Sequence, residues 1–272
     1  MAPRAVSSTF TARVSLLSRV ILYCAIGGAP MLLGALGVGQ WPLWWMSGIV
    51  MAAAFVPVAL FGPRTLSAQF GTILPALVII AAICTWSEAL IFLPASDIRE
   101  HPLLTLIGSC GIYVIAAAVL AALGRLLRLN RASIADPAHH RFVRAAMTVA
   151  LSGAAYVVYY LVFGALTYQF MTKGYYPDAP QLVARLGPWF WIIQFARGIL
   201  MTLAIVPIIY TLRLPRWQTA IVAGLVMWIA GGLAPLLIPN PLMTPPQRLI
   251  HIVEIFTQNF PLGVTAARLL RT

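Results

Sequence analysis

The chain has 272 residues, of which 61% are hydrophobic and only 9% are charged, and its formal net charge is +12. An ordinary soluble domain carries roughly a quarter charged residues, so this composition excludes a soluble globular protein. It predicts an all-α polytopic membrane protein, because a bilayer core of about 30 Å needs about 20 mostly apolar helical residues per crossing. The basic residues form no continuous stripe with interleaved aromatic side chains, and we therefore expect no nucleic-acid partner.

Apolar stretches of the required length recur along the whole chain between charges and turn signals. They predict a transmembrane helical bundle of about eight spans. The first four are Val20–Val38, Leu43–Gly62, Phe70–Leu93 and Pro102–Gly124. The second four are Phe142–Met171, Trp189–Leu212, Trp217–Ile238 and Leu249–Leu270. The last is the most polar, and its assignment needs independent support.

The basic residues provide that support, because positive side chains accumulate on cytoplasmic loops. If eight helices alternate, both termini are cytoplasmic. The final segment must then cross the membrane, since a surface helix would leave Arg268 and Arg271 outside. On this arrangement the cytoplasmic basic residues are Arg4, Arg13, Arg19, Arg64, Arg125, Arg128, Arg131, Arg141, Arg144, Arg213, Arg216, Arg268 and Arg271, and the outer ones are Arg99, Lys173, Arg185 and Arg248.

The longest cytoplasmic connection divides the chain into two halves. We expect residues 1–19 to form a cytoplasmic N-terminal segment before an uncleaved first helix, and residues 20–124 to form the first four-helix half. A basic cytoplasmic loop at 125–141 then precedes the second half, 142–270. The segments "IVMAAAFVPV" and "ILMTLAIVPI" end helices two and six, and each precedes a Pro-Arg pair. This similarity suggests a parallel repeat of four plus four helices, a plan known among carriers.

Four charged or histidine side chains lie well inside the predicted spans: Glu88, Arg197, His251 and Glu254. A charge at the centre of a membrane helix costs about 2.5–3.5 kcal/mol on insertion scales, so such groups need partners or a function. At 1.5 Å per residue, all four lie about 4–12 Å from the outer ends of their helices. We therefore expect one charged layer in the outer half of the bilayer, in which Arg197 pairs with Glu88, with Glu254 or with both.

Further polar and aromatic side chains are predicted to join this layer. Gln194 lies one turn before Arg197, and Gln258 and Asn259 continue the polar stripe of helix eight, which we expect to face inward. Helix five carries aromatic residues at helical spacing, and these either pack in the core or form a wall of the same cavity. The members of this aromatic set are Tyr156, Tyr159, Tyr160 and Phe163, of which Tyr159 and Tyr160 are the candidates for ligand contact.

Three classes of function fit these features. In the first, an outward-facing charged cleft binds or transports a small anionic or lipid-like solute, held by Arg197 while His251 and Glu254 exchange protons. In the second, a membrane-embedded enzyme uses His251, Glu254 and Glu88 on a lipid-linked or quinone-like substrate. In the third, the charges form a structural network in a subunit of a membrane complex. No metal site is predicted, because the spans contain a single histidine, and no sequence motif identifies a cofactor.

The expected surroundings follow from the same composition. The partners are the lipid bilayer, with anionic lipids at the Arg125–Arg144 loop, and a homo-oligomer or membrane complex. Arginine predominates over the single lysine, Lys173, which is common in bacterial proteins from GC-rich genomes. We therefore expect a multi-pass protein of the bacterial inner membrane.

Overall fold

A computed structural model describes residues 4–36, 38–92, 100–131, 142–239 and 243–271. These residues form an array of helices without a β-strand, which confirms the predicted all-α class. Seven helical stretches in the described part of the chain are long and apolar enough to cross a membrane. They are Ser15–Ala35, Trp41–Phe61, Leu66–Ile91, Pro102–Leu126, Ala145–Thr172, Pro188–Thr211 and Arg216–Leu237.

Several crossings consist of more than one helical piece. The first crossing comprises α1 (Arg4–Gly27) and a 3₁₀ turn at Ala29–Ala35, and the second comprises α2 (Trp41–Ala54) and α3 (Val56–Phe61). In the third crossing, a π-helix at Ala76–Cys84 joins α4 (Leu66–Pro75) to α5 (Thr85–Phe92). The fourth crossing is the single helix α6 (Pro102–Leu126). The fifth crossing comprises α7 (Phe142–Thr167) and a π-helix at Tyr168–Thr172, and the short helix α8 (Ala179–Leu186) connects it to the sixth crossing, α9 (Pro188–Thr211). In the seventh crossing, a π-helix at Ile229–Leu233 joins α10 (Arg216–Trp228) to α11 (Ala234–Leu237). The last helix is α12 (Pro245–Leu270).

Helix α12 is the predicted eighth crossing. Its 26 residues correspond to about 39 Å at 1.5 Å per residue, which is enough to cross a bilayer core. Near its start, Arg248 donates hydrogen bonds to the carbonyls of Leu236 and Leu237, at 3.5 and 3.4 Å. At its end, Arg271 donates to the carbonyl of Leu214 at 2.9 Å. The helix therefore runs antiparallel to the seventh crossing along its whole length, and about eight spans are present.

Backbone hydrogen bonds bring the arginine-bearing connections together at one end of the bundle. The amide of Arg131, after α6, donates to the carbonyl of Leu60 at 2.7 Å, and the amide of Arg213 donates to that of Phe61 at 2.9 Å. Arg271 reaches the same connection through Leu214. We call this face of the bundle the arginine end. Successive crossings thus run in alternating directions, as predicted. The assignment of the arginine end to the cytoplasm stays a prediction.

The third, sixth and seventh crossings form the centre of the bundle. The π-helix at Ala76–Cys84 packs against α9 and against the π-helix at Ile229–Leu233, and Ile80, Ile205 and Ala230 are fully buried there. Small residues allow other helices to approach closely, as is usual in membranes. A Cβ atom added at Gly48, for example, would lie 2.1 Å from the carbonyl oxygen of Gly28.

The π-helix in the third crossing follows a proline. Pro75 has no amide hydrogen to donate, which disturbs the α-helical hydrogen-bond ladder, and the chain continues with the wider π-type turns. Nearby hydroxyls donate to backbone carbonyls of this segment: Thr85 to Ile80 at 3.3 Å and Ser87 to Cys84 at 2.8 Å. Such side-chain partners make an irregular helix tolerable in lipid, where water is absent.

Helix α1 begins at Arg4, inside the predicted N-terminal segment 1–19, and continues without a break into the first predicted span. The cytoplasmic location of residues 1–19 stays a prediction. Part of the predicted basic loop at 125–141 falls outside the described residues, because 132–141 are not described. The parallel repeat of four plus four helices stays a prediction.

Candidate functional site

An ion pair between the third and sixth crossings occupies the interior of the bundle. Arg197 Nη2 lies 2.6 Å from Glu88 Oε2, and the two side chains are 8% and 35% exposed, respectively. A buried guanidinium remains charged and is tolerated only when it is paired and hydrogen-bonded. The expected pairing of Arg197 is therefore present, with Glu88 as its partner.

Two further side chains surround the same guanidinium. Nη1 of Arg197 donates to Oε1 of Gln194 at 2.9 Å, and the guanidinium carbon lies 5.8 Å from the centre of the Tyr156 ring, within the range of a cation–π interaction. Two donors remain: Nε of Arg197 and Nε2 of Gln194 are buried and reach no acceptor among the described residues. A buried unpaired donor costs roughly 1–3 kcal/mol, so these two groups need an explanation.

A second polar pair lies on α12. His251 Nδ1 is 2.9 Å from Glu254 Oε2, and His251 Nε2 is 3.3 Å from the hydroxyl of Tyr176, which belongs to the connection between α7 and α8. Burial, together with the negative charge of Glu254, raises the pKa of the Tyr176 hydroxyl. That hydroxyl is therefore protonated and can donate to the imidazole. The pair lies near the end of the bundle opposite the arginine end.

Gln258 connects the two pairs. Its Nε2 donates to Glu254 Oε1 at 3.4 Å, and its side chain also lines a small cavity beside Arg197 and Glu88. The cavity has a volume of about 10 Å³, roughly that of one water molecule. Its lining residues are Ile80, Cys84, Thr85, Glu88, Tyr156, Arg197, Met201, Gly231, Ile255, Gln258 and Asn259.

These contacts define one connected set, which we call the polar layer: Glu88, Gln194, Arg197, His251, Glu254 and Gln258. Asn259 borders it, donating to the carbonyl of Met227 at 3.4 Å. The polar stripe of α12 faces inward as expected, since Gln258 and Asn259 are buried, whereas Val253 on the opposite face is 52% exposed. The sequence-derived candidates on the third, sixth and eighth crossings thus lie together.

The aromatic candidates on α7 are distributed differently. The hydroxyl of Tyr159 lies 2.9 Å from Oγ1 of Thr265, and the ring of Tyr160 packs at 5.7 Å from Phe190. Neither lines the cavity; the tyrosine that does is Tyr156. Helical spacing placed all of these side chains on one broad face, but it could not determine which of them faces Arg197.

The structure also adds residues that sequence analysis did not select. Cys84, the last residue of the π-helix, and Thr85, the first residue of α5, line the cavity, and Tyr176 reaches His251 from a connection outside the spans. No motif marks these positions. In the described part of the chain, no group of three or more His, Cys, Asp and Glu side chains could hold a metal ion.

The geometry limits what the polar layer can do chemically. Arg197 and Gln194 present donors suited to an oxyanion or carbonyl oxygen, and His251 and Glu254 form a polar pair beside them. Comparison of the chain with protein-family models, with curated proteins and with solved structures finds no match. The functional interpretation therefore depends on the arrangement of these side chains.

Proposed function

We propose that this integral membrane protein is a carrier that binds a small anionic or lipid-like solute at the polar layer. The observation that supports it is the pair of buried donors, Arg197 Nε and Gln194 Nε2, that reach no acceptor in the described structure. They belong to side chains already hydrogen-bonded to each other. A carboxylate or phosphate oxygen that reaches either donor would accept a hydrogen bond from it, and such an anion would compete with Glu88 for the guanidinium.

The conformation described here is a closed one under this proposal. A cavity of about 10 Å³ is far smaller than the roughly 300–1,000 Å³ of a typical small-molecule site. Solute binding therefore requires movement of Glu88, whose side chain is 35% exposed, or separation of the helices. The π-helices at Ala76–Cys84 and Ile229–Leu233 adjoin the cavity, and such segments are frequent at functional sites. An outward-facing cleft is the predicted open state.

Proton exchange is the second part of the proposal. Histidine titrates near neutral pH, and a carboxylate partner responds to its charge. His251 contacts both Glu254 and the outer connection through Tyr176, while Gln258 connects Glu254 to the cavity. In the proposed carrier, this chain of contacts adjusts the charge of the polar layer when the anion enters or leaves.

We further infer the setting of the protein from its charges. The arginine end faces the cytoplasm of a bacterial inner membrane, where it attracts anionic headgroups. Reporter fusions at residues 1 and 272 would test this orientation. Reporters active on the outer side would contradict it.

The decisive experiment measures uptake into proteoliposomes with two radiolabelled probes, succinate and octanoate, representing small and lipid-like carboxylates. Loss of a charge-assisted hydrogen bond costs about 1.5–3 kcal/mol, which corresponds to about a 10- to 100-fold loss in affinity. We expect this loss in Arg197→Lys, which keeps the charge but not the forked donors, and a smaller one in Gln194→Leu. Thr211→Val is the control, because it removes a hydrogen bond from the same helix at the arginine end.

Two results would contradict the carrier. One is normal uptake by folded Arg197→Lys and Gln194→Leu proteins, and the other is the absence of saturable uptake of either probe by the unmodified chain. Native mass spectrometry of the gently purified protein distinguishes the alternatives. A second polypeptide at fixed stoichiometry would favour an assembly subunit, whereas a bound lipid-linked compound chemically altered on incubation would favour an enzyme.

A further inference from the structure

A second polar site lies at the arginine end, far along the bundle from the polar layer. It is an open pocket of about 390 Å³ between the third and fourth crossings. None of its lining residues is acidic, and we call it the basic pocket. Its lining residues are Arg64, Gln69, Gly124, Arg125, Arg128, Asn130 and Arg131.

The backbone at Arg128 is unusual for an arginine. The helix α6 ends with the amide of Leu129 donating to the carbonyl of Gly124 at 3.1 Å and the amide of Arg128 donating to that of Arg125 at 3.0 Å. This is the Schellman pattern, whose left-handed position is usually glycine. Arg128 occupies that position with φ of 47°, at a cost of roughly 1–2 kcal/mol for a residue with a Cβ atom. Helix termination alone would favour glycine, so the arginine side chain requires another reason.

Gln69 forms the buried floor of the basic pocket. It is only 2% exposed, and its Oε1 is buried with no donor among the described residues. A Cβ atom at Gly124 would lie 2.9 Å from this Oε1, so glycine is what allows the amide to reach its position. The unpaired Oε1 accepts hydrogen bonds, so, beside four arginines, it indicates a site for a polar ligand that offers a hydroxyl to Gln69 as well as oxygens to the arginines.

Hydrogen bonds also fix one wall of the basic pocket. Arg64 Nε donates to Asn130 Oδ1 at 3.1 Å, and Asn130 Nδ2 donates to the carbonyl of Gly62 at 3.1 Å. The Arg64 guanidinium is thereby oriented before any ligand binds. Such orientation lowers the entropy lost when an ordered complex forms.

We propose that the basic pocket binds a phosphate group. Arginine side chains match the geometry of phosphate oxygens, and the volume suits a ligand of headgroup size. The phosphate can belong to an anionic phospholipid at this membrane surface or to a soluble phosphate compound. This proposal goes beyond a general attraction of anionic lipids, because it assigns the ligand to specific side chains, and it does not depend on the carrier function.

Native mass spectrometry of the full chain in detergent tests the proposal with two probes of identical acyl chains, phosphatidylglycerol and phosphatidylcholine. Calorimetric titration with inorganic phosphate tests the soluble source. The main variant is Arg128→Gly, which removes the guanidinium and relieves the left-handed strain, so the fold is retained. Gln69→Leu removes the buried amide at similar size. The control is Arg213→Gln, which changes a charge at the same end outside the basic pocket.

The expected result is preferential binding of phosphatidylglycerol or saturable binding of inorganic phosphate by the unmodified chain. Either is expected to weaken about tenfold in Arg128→Gly, with an unchanged or raised melting temperature, while Arg213→Gln stays within about twofold. Phosphatidylglycerol binding that inorganic phosphate does not displace identifies a lipid source, and displacement identifies a soluble one. The proposal is overturned if neither probe binds, if Arg128→Gly and Gln69→Leu bind like the unmodified chain, or if Arg213→Gln loses as much.

Discussion

Removing one side of the Arg197–Glu88 ion pair should affect stability differently from removing the other. Glu88→Gln leaves the guanidinium, 8% exposed, without a counter-charge, and arginine cannot lose its proton in a protein. Arg197→Met leaves Glu88, 35% exposed, which can take up a proton or turn outward. We therefore expect Glu88→Gln to be the more destabilising change, although Gln differs from Glu only in having an amide nitrogen in place of one carboxylate oxygen.

The size of the effect follows from the burial of the arginine. Breaking a buried pair typically costs about 3–5 kcal/mol because the remaining charge is uncompensated. For chains of this size, 1 kcal/mol corresponds to about 2–4 °C in melting temperature, so Glu88→Gln should lower it by about 10 °C. Arg197→Met should lower it by about half as much, since its remaining carboxyl group can become neutral.

The double variant Glu88→Gln, Arg197→Met provides the control. Because no unpaired charge remains, it should melt above the Glu88→Gln protein, with a coupling of about 0.5–3 kcal/mol between the two positions. Intrinsic tryptophan fluorescence of the detergent-solubilised protein during heating measures all three values. If the melting temperature of Glu88→Gln lies within about 2 °C of the unmodified chain, or if the double variant melts below both single variants, Arg197 does not depend on Glu88.

Two further predictions concern packing and the C-terminal end. Gly48→Ala should lower the melting temperature by several degrees, because the new Cβ would lie 2.1 Å from the carbonyl oxygen of Gly28 and overpacking costs about 1–3 kcal/mol. Gly111→Ala is the matched control, because there is open space at that position. Equal losses in melting temperature for the two variants would refute the close contact at Gly48. Arg271→Ala should speed amide hydrogen exchange in the last turns of α12, because Arg271 donates to the carbonyls of Leu214 and Leu212 at 2.9 and 3.2 Å; unchanged exchange there would show that these bonds do not hold the helix end.

Composition and charge were sufficient to predict the all-α class and a bundle of about eight crossings, of which seven are long and apolar enough to span a membrane in the described residues. Both depend on local properties: the length of apolar stretches and the sidedness of basic residues. Even α12, with its polar stripe, was predicted to cross, because only a crossing brings Arg271 to the end where Arg213 lies. The residue at which α1 begins was harder to predict from the sequence, because a helix can continue past the apolar stretch into the preceding residues.

The sequence predicted how deep in the membrane the candidate site residues lie, but not which way their side chains point. Charged side chains in lipid must find partners, so Glu88, Arg197 and Glu254 were expected in one layer. Which carboxylate pairs with Arg197 depends on the rotation of each helix, which sequence spacing does not provide. For the same reason Tyr159 was expected near the charges, whereas Tyr156 is the residue that packs against Arg197.

The π-helix at Ala76–Cys84 also determines where Glu88 points. A widened turn holds more residues than an α-helical one, and each residue gained or lost rotates everything beyond it by about 100° and shifts it by about 1.5 Å. Glu88 follows this segment by a single turn, so its alignment with Arg197 depends on an irregularity in the preceding backbone. Removal of one residue between Ala76 and Cys84 would leave the apolar character of the crossing intact and still turn the carboxylate away from its partner. In this crossing, the number of residues is constrained as strictly as their identity.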